Sequence, residues 1–227
     1  LMVSRERCRI EWNVTELKLL VAGLCGGSLY FLMEYMALKR TSAINVALIS
    51  STVPIISASM EMLIKRRRPR WKFVVGTFVA IVGVLLLVTD GKLLIDIFPI
   101  GDILAIGSSV LWALYSVVIG RVGKCVSEVV VERRMMFYSF VTILPVTFCM
   151  ADVSELRMVM SSVGVWMPML YLGGVASAGC MWRWNVSINR IGVVRTNNFL
   201  YLLPVVSLCA SALVMDGEVT SVSVVAT

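Results

Sequence analysis

Seven long apolar runs, divided by short stretches that hold nearly all the charge, constrain this chain more than any other feature. They cover about residues 17–38, 41–64, 73–89, 101–122, 135–150, 165–189 and 193–215. Each lies near the ~20 residues a helix needs to cross a bilayer, the third and fifth being the shortest. Hydrocarbon offers no partner to backbone N–H and C=O groups, so runs of this kind fold as helices. The expected fold class is all-α and polytopic, an integral membrane protein with seven transmembrane helices. Hydrophobic residues make up 59% of the 227 and charged residues only 15%, against about 45–50% apolar in soluble domains.

Charge gives the orientation. With residues 1–16 in the cytoplasm and the runs alternating, fifteen Lys and Arg fall in cytoplasmic loops, and four (Lys39, Arg40, Lys92, Arg157) fall outside. The acids lean outward, with Asp90, Asp96, Asp102, Asp152 and Glu155 on that side. Topology rather than nucleic-acid binding therefore accounts for the net charge of +7. The run 65–72, KRRRPRWK, fits contact with anionic membrane lipid. The chain has no histidine, and no two of its six cysteines have C-x-x-C spacing. Histidine catalysis is excluded; metal sites and cofactors are not expected.

A shift of 150 residues places Gly23 on Gly173, Arg40 on Arg190, Pro54 on Pro204, Ser57 on Ser207 and Leu63 on Leu213. Each copy is a glycine-bearing run, a tight turn, and a run with one central proline. Five runs separate equivalent elements, so the copies face opposite ways across the membrane. Inverted repeats of this kind are the framework of alternating-access carriers, with the site near the midplane.

Five blocks in order carry a family resemblance: EYMALKRTSAINVALISSTVPIISA (34–58), GTFVAIVGVLLLVTDG (76–91), GDILAIGSSVLWALYSVVIGRV (101–122), ERRMMFYSFVTILPV (132–146) and INRIGVVRTNNFLYLLPVVSL (188–208). They resemble the EamA-type carriers of the drug/metabolite transporter superfamily. That resemblance implies ten spans in two inverted five-span repeats, cytoplasmic termini and a bacterial inner (plasma) membrane. Seven of the ten are then present, and the first two and the last are lacking. Residues 1–91 become an incomplete first repeat and 92–227 an incomplete second. Where family members often carry a glutamate before the second proline, this chain has Leu203.

The candidate pathway residues are the polar and aromatic groups inside the runs. Glu34 is about two-thirds along the first, where a charge costs ~2.5–3.5 kcal/mol on insertion scales. It is a cavity carboxylate that binds substrate or a coupling proton, a structural partner of Arg183, or a residue near the outer interface; Arg183, deep in the sixth run, either holds an anionic substrate or pairs with Glu34. Asn197, Asn198 and Tyr201 line the cytoplasmic third of the seventh, where they either bind substrate or bond neighbouring helices. Asn45, Ser50 and Ser51 form the polar set of the second, although serines also bond back to their own helix. Trp112 and Tyr115 share a face with Ser108 and are read as cavity walls, core or interface residues. Pro54 and Pro204 each free a carbonyl and permit a kink. The glycines at 23, 26, 27, 173 and 174 are expected to let helices approach closely.

The expected function is a secondary transporter moving a small metabolite or drug-like solute by alternating access. The alternative is a truncated, non-transporting membrane scaffold or remnant. A membrane enzyme would want a cluster of acids, a histidine or a metal site near one interface, and none is visible. No G-x-x-x-x-G-K-[ST] motif is present. The expected partners are a small-molecule substrate and membrane lipid, with a homodimer also open to such a chain.

Overall fold

The computed structural model describes residues 13–66, 71–89, 98–122, 126–150, 163–202 and 206. Every regular element among them is helical. Helix α1 runs Val14–Leu38 with a π-helical waist at Leu24–Ser28. The others are α2 (Ala43–Ser50), α3 (Val53–Lys65), α4 (Trp71–Thr89), α5 (Pro99–Val122) and α6 (Glu128–Met150). Helix α7 passes without a break through Val163–Leu170, a π-helical Tyr171–Cys180 and Met181–Ile191. Helix α8 (Val193–Asn198) ends in a 3-10 turn, Phe199–Leu202. Among the described residues four stretches are long and apolar enough to cross a membrane: Val14–Leu38, Asn45–Lys65, Pro99–Val122 and Gly164–Ile191; Phe73–Leu86 is a shorter apolar helix.

Caps fix two of the starts. The Asn13 side chain accepts from the Glu16 N–H at 3.0 Å to open α1, and the Ser42 hydroxyl accepts from the Asn45 N–H at 3.1 Å to open α2. Each satisfies one of the donors a helix N-terminus leaves unpaired. The second apolar run is broken rather than bent. Ser51 and Thr52 leave the helix, and Pro54 sits in the first turn of α3, where its missing N–H costs nothing. Helix α6 starts well before its apolar run, at a segment that composition alone assigns to a polar loop. Val131, Met135 and Tyr138 are buried at helical spacing, so packing extends the helix through Glu132 and Arg134. The seventh run, Pro204 and Leu203 included, lies outside the described residues apart from its first turns and Val206.

Helix α5 is the centre, touching α1, α2, α3, α7 and α8. One core gathers Leu19, Cys25, Tyr115, Ile119, Met135 and Ile188 from α1, α5, α6 and α7. A second, smaller one joins Ala37, Val46 and Ala105. The close approach of α1 depends on its waist. A Cβ on Gly26 would meet the Tyr115 ring at 2.5 Å, and one on Gly27 would overlap Ser139. By contrast, Gly173 and Gly174 have open space around them, and α7 is unburied up to Cys180. The expectation of close packing thus fits the first set of glycines and not the second.

The elements can be compared at the 150-residue spacing. Ala43 begins α2 and Val193 begins α8. The waist of α1 maps onto 174–178, inside the π segment of α7. The break at Ser51 and Thr52 maps onto the 3-10 turn at 201 and 202. The second copy makes its reversal at Gly192, whose φ of 93° suits glycine and few other residues.

Candidate functional site

Helices α1, α5 and α7 meet at an aromatic corner. The Trp112 ring lies 4.9 Å from Tyr30, 5.3 Å from Tyr115 and 5.9 Å from Trp184, measured between centroids. The Tyr30 hydroxyl donates to Glu34 Oε1 at 2.9 Å, one turn along α1. Both indole N–H groups, of Trp112 and Trp184, are buried without a hydrogen-bond acceptor. A buried donor left unpaired costs roughly 1–3 kcal/mol, so such atoms are uncommon and mark places where a guest can be bonded.

A buried polar chain leads from this corner. Tyr115 donates to Asn185 Oδ1 at 2.6 Å, and Asn185 Nδ2 donates to Glu132 Oε2 at 2.6 Å. Tyr115, Asn185 and Glu132 come from three different helices, and all are buried. Ser116 donates to Asn197 Oδ1 at 3.3 Å, while Asn197 Nδ2 is unpaired. Asn189 on α7 has neither side-chain atom bonded. The Tyr201 hydroxyl is likewise buried and without a hydrogen-bond partner.

The structure sorts the expected site residues into three groups. Glu34, Trp112 and Tyr115 gather at the corner, with Asn197 on its flank. Asn45 and Ser51 are engaged elsewhere. Asn45 Nδ2 bonds Thr41 Oγ1 at 3.1 Å and Asp102 Oδ1 at 3.2 Å, and Ser51 bonds back to the Leu48 carbonyl at 2.6 Å. Arg183 and Asn198 are exposed. Arg183 does not pair with Glu34; its guanidinium lies 5.5 Å from the Trp182 ring centroid, in an open surface pocket that Trp182, Trp184 and Ser187 also line. Composition gave no reason to single out Tyr30, Glu132, Trp184 and Asn185. The signal that could have found Glu132 was the helical spacing of Val131, Met135 and Tyr138 upstream of the apolar run.

Two polar contacts tie α1 and α2 to α5 and α6, at opposite ends of the bundle. At one end Glu16 Oε1 accepts from Arg134 Nη1 at 2.5 Å and from the Tyr138 hydroxyl. The pair is largely buried, with side-chain exposures of 8% for Glu16 and 11% for Arg134. At the other end Thr41 Oγ1 donates to Asp102 Oδ1 at 2.7 Å, with Asn45 on the same oxygen. Gly101 backs directly onto Arg40 and Thr41 there. Among the described residues no cluster of His, Cys, Asp and Glu could hold a metal ion.

Residues 2–89 and 99–227 match the EamA-like transporter family. The chain is 30% identical over 196 residues to a Bacillus subtilis protein described as the uncharacterized transporter YyaM, covering 85% of this chain and 63% of that protein. It is also 32% identical over 111 residues to an uncharacterized transporter of Archaeoglobus fulgidus, covering 47% of this chain and 36% of that one. A solved crystal structure of a protein shares 19% identity at a TM-score of 0.78, covering 96% of this chain and 73% of the other. At that identity the likeness shows the fold. The chain thus spans less than two thirds of the length of either named relative.

Proposed function

The chain belongs to the EamA-like transporter family, and from that membership we propose that it forms the working part of a secondary carrier. Its apolar helices and its family make it an integral membrane protein. Residues 1–91 and 92–227 serve as two inverted units, and a small metabolite or drug-like solute occupies the corner between them. The matched starts of α2 and α8 and the matched π segments support that pairing.

One observation carries the reading: the aromatic corner holds unpaired donors and a carboxylate between helices of both units. Indole and phenol rings supply area at little entropic cost, and their polar edges fix orientation. Glu34 supplies the charged group, tethered by Tyr30. Alternating access needs one end to open while the other stays shut. The Glu16–Arg134–Tyr138 and Thr41–Asp102–Asn45 contacts are the two closures, each joining one unit to the other. Both are made in this structure. Residues 1–16 and the Glu16 closure are then cytoplasmic, in a bacterial inner membrane.

The test is flux in proteoliposomes against a metabolite panel, with and without a pH gradient. The chain is expected to move at least one solute, and Glu34→Gln to abolish the part of that flux driven by the gradient. Gradient-driven transport that survives Glu34→Gln would remove the coupling role. No flux of any solute would favour a non-transporting scaffold.

A further inference from the structure

A cavity lies next to the aromatic corner, across Gly26 from the Tyr115 ring. It holds about 410 Å³ between the α1 waist, the middle of α6 and the point where α7 leaves its π segment. Phe31, Met135, Met136, Phe140 and Met181 contribute apolar side chains to its wall, and Gly26 and Gly27 also line it. Among the described residues that line it, Glu132, only 7% exposed, is the ionisable one. Glu132 Oε2 accepts from Asn185 Nδ2, and the residue lines the cavity.

Among the described residues the carboxylate has no counter-charge. The ion pairs among the described residues are Lys65–Glu61 and Arg134–Glu16. Arg134 is thus engaged by Glu16 across the α1–α6 interface, and Arg133 is exposed. An isolated buried carboxylate is costly, and a bound cation is one way to relieve it. The remaining wall suits the same guest. Phe31 and Phe140, about half exposed, stand at the mouth on the outer surface of the bundle, and aromatic faces attract ammonium groups. Methionine side chains adapt to apolar bodies of varied shape. A neutral solute would leave the carboxylate uncompensated, and an anion would be repelled.

We propose that this cavity binds an organic ammonium ion with an apolar body, its charge against Glu132 and its body among Phe31, Met136, Phe140 and Met181. The site is separate from the corner at Trp112, although the Glu132–Asn185–Tyr115 chain connects them.

The probe is benzyltrimethylammonium, a permanent cation, titrated calorimetrically into the complete chain in nonionic detergent. Single-site binding is expected. Glu132→Gln should weaken it at least tenfold, and Met136→Trp, which keeps the charge and fills the space, should do the same. Glu61→Gln, at a distant ion pair, should leave it unchanged. Benzyl alcohol should bind weakly and equally to the wild type and Glu132→Gln. Absence of binding to the wild type, equal affinity in Glu132→Gln, or undiminished affinity in Met136→Trp would each overturn the proposal. Should Glu132→Gln fail to fold, Met136→Trp still decides. Binding is read without a membrane or gradient, so this site stands or falls separately from transport.

Discussion

Asn185 shows how much a single amide can hold. Its two ends satisfy a buried phenol and a buried carboxylate at once. Asn185→Ala strands both, and each stranded group costs about 1–3 kcal/mol. The expected result is a clear fall in the thermal midpoint in detergent, larger than for Ser187→Ala, whose hydroxyl bonds only its own helix. Equal melting of the two variants would show that the chain Tyr115–Asn185–Glu132 is not cooperative. Glu16 is the companion case. Removing its cation with Arg134→Ala leaves a buried carboxylate with Tyr138 as its remaining named partner, a loss of about 3–5 kcal/mol for a buried pair. Glu16→Gln in the Arg134→Ala background should recover part of that loss, because the cost lies in the unpaired charge, and melting curves of the single and double variants measure it.

At the scale of elements, the two π-bearing helices occupy matched positions yet pack differently. The α1 waist lies against α5 and α6, where Gly27→Ala meets Ser139 and Gly26→Ala meets the Tyr115 ring. Overpacking of this kind costs roughly 1–3 kcal/mol. Gly174→Ala meets nothing, and replacing a helical glycine there should stabilise by up to about 1 kcal/mol. Thermal shifts of opposite sign are the expected outcome; a destabilising Gly174→Ala would mean that its face is packed. The sequence showed glycines at both places but could not tell them apart, because the difference lies in what each helix meets. Helices were legible because hydrocarbon length and apolar runs leave no other fold, and the break at Pro54 was legible as a proline in mid-run. Corner residues were partly legible. Glu34, Trp112 and Tyr115 stand out as polar or bulky groups inside apolar runs. Asn45 and Ser51 stand out equally, but their bonds are taken up by Thr41, Asp102 and the Leu48 carbonyl. Composition shows that a polar group is buried; only the neighbours decide whether it is already satisfied.

At the scale of the whole molecule, the Glu16–Arg134 and Thr41–Asp102 contacts allow the proposed motion to be tested. If the first unit rocks against the second, breaking one closure should open that end only. Cys25 reports this, since it is buried in the α1 waist next to the Tyr115 core. In a chain whose other cysteines are serine, a membrane-impermeant maleimide should label Cys25 slowly from either side. Thr41→Val with Asp102→Asn removes the closure at the end away from Asn13 and should speed labelling from that side. Arg134→Ala removes the Glu16 closure and should speed it from the side carrying residues 1–16. From the fifteen-to-four split of Lys and Arg, that second side is expected to be the cytoplasm. Inverted and right-side-out vesicles therefore supply the two faces, and the same experiment checks the topology. Swapped sides with one-sided opening would reverse the topology and keep the mechanism. Acceleration from both sides at once, in either variant, would mean that the contacts hold the bundle together without acting as gates.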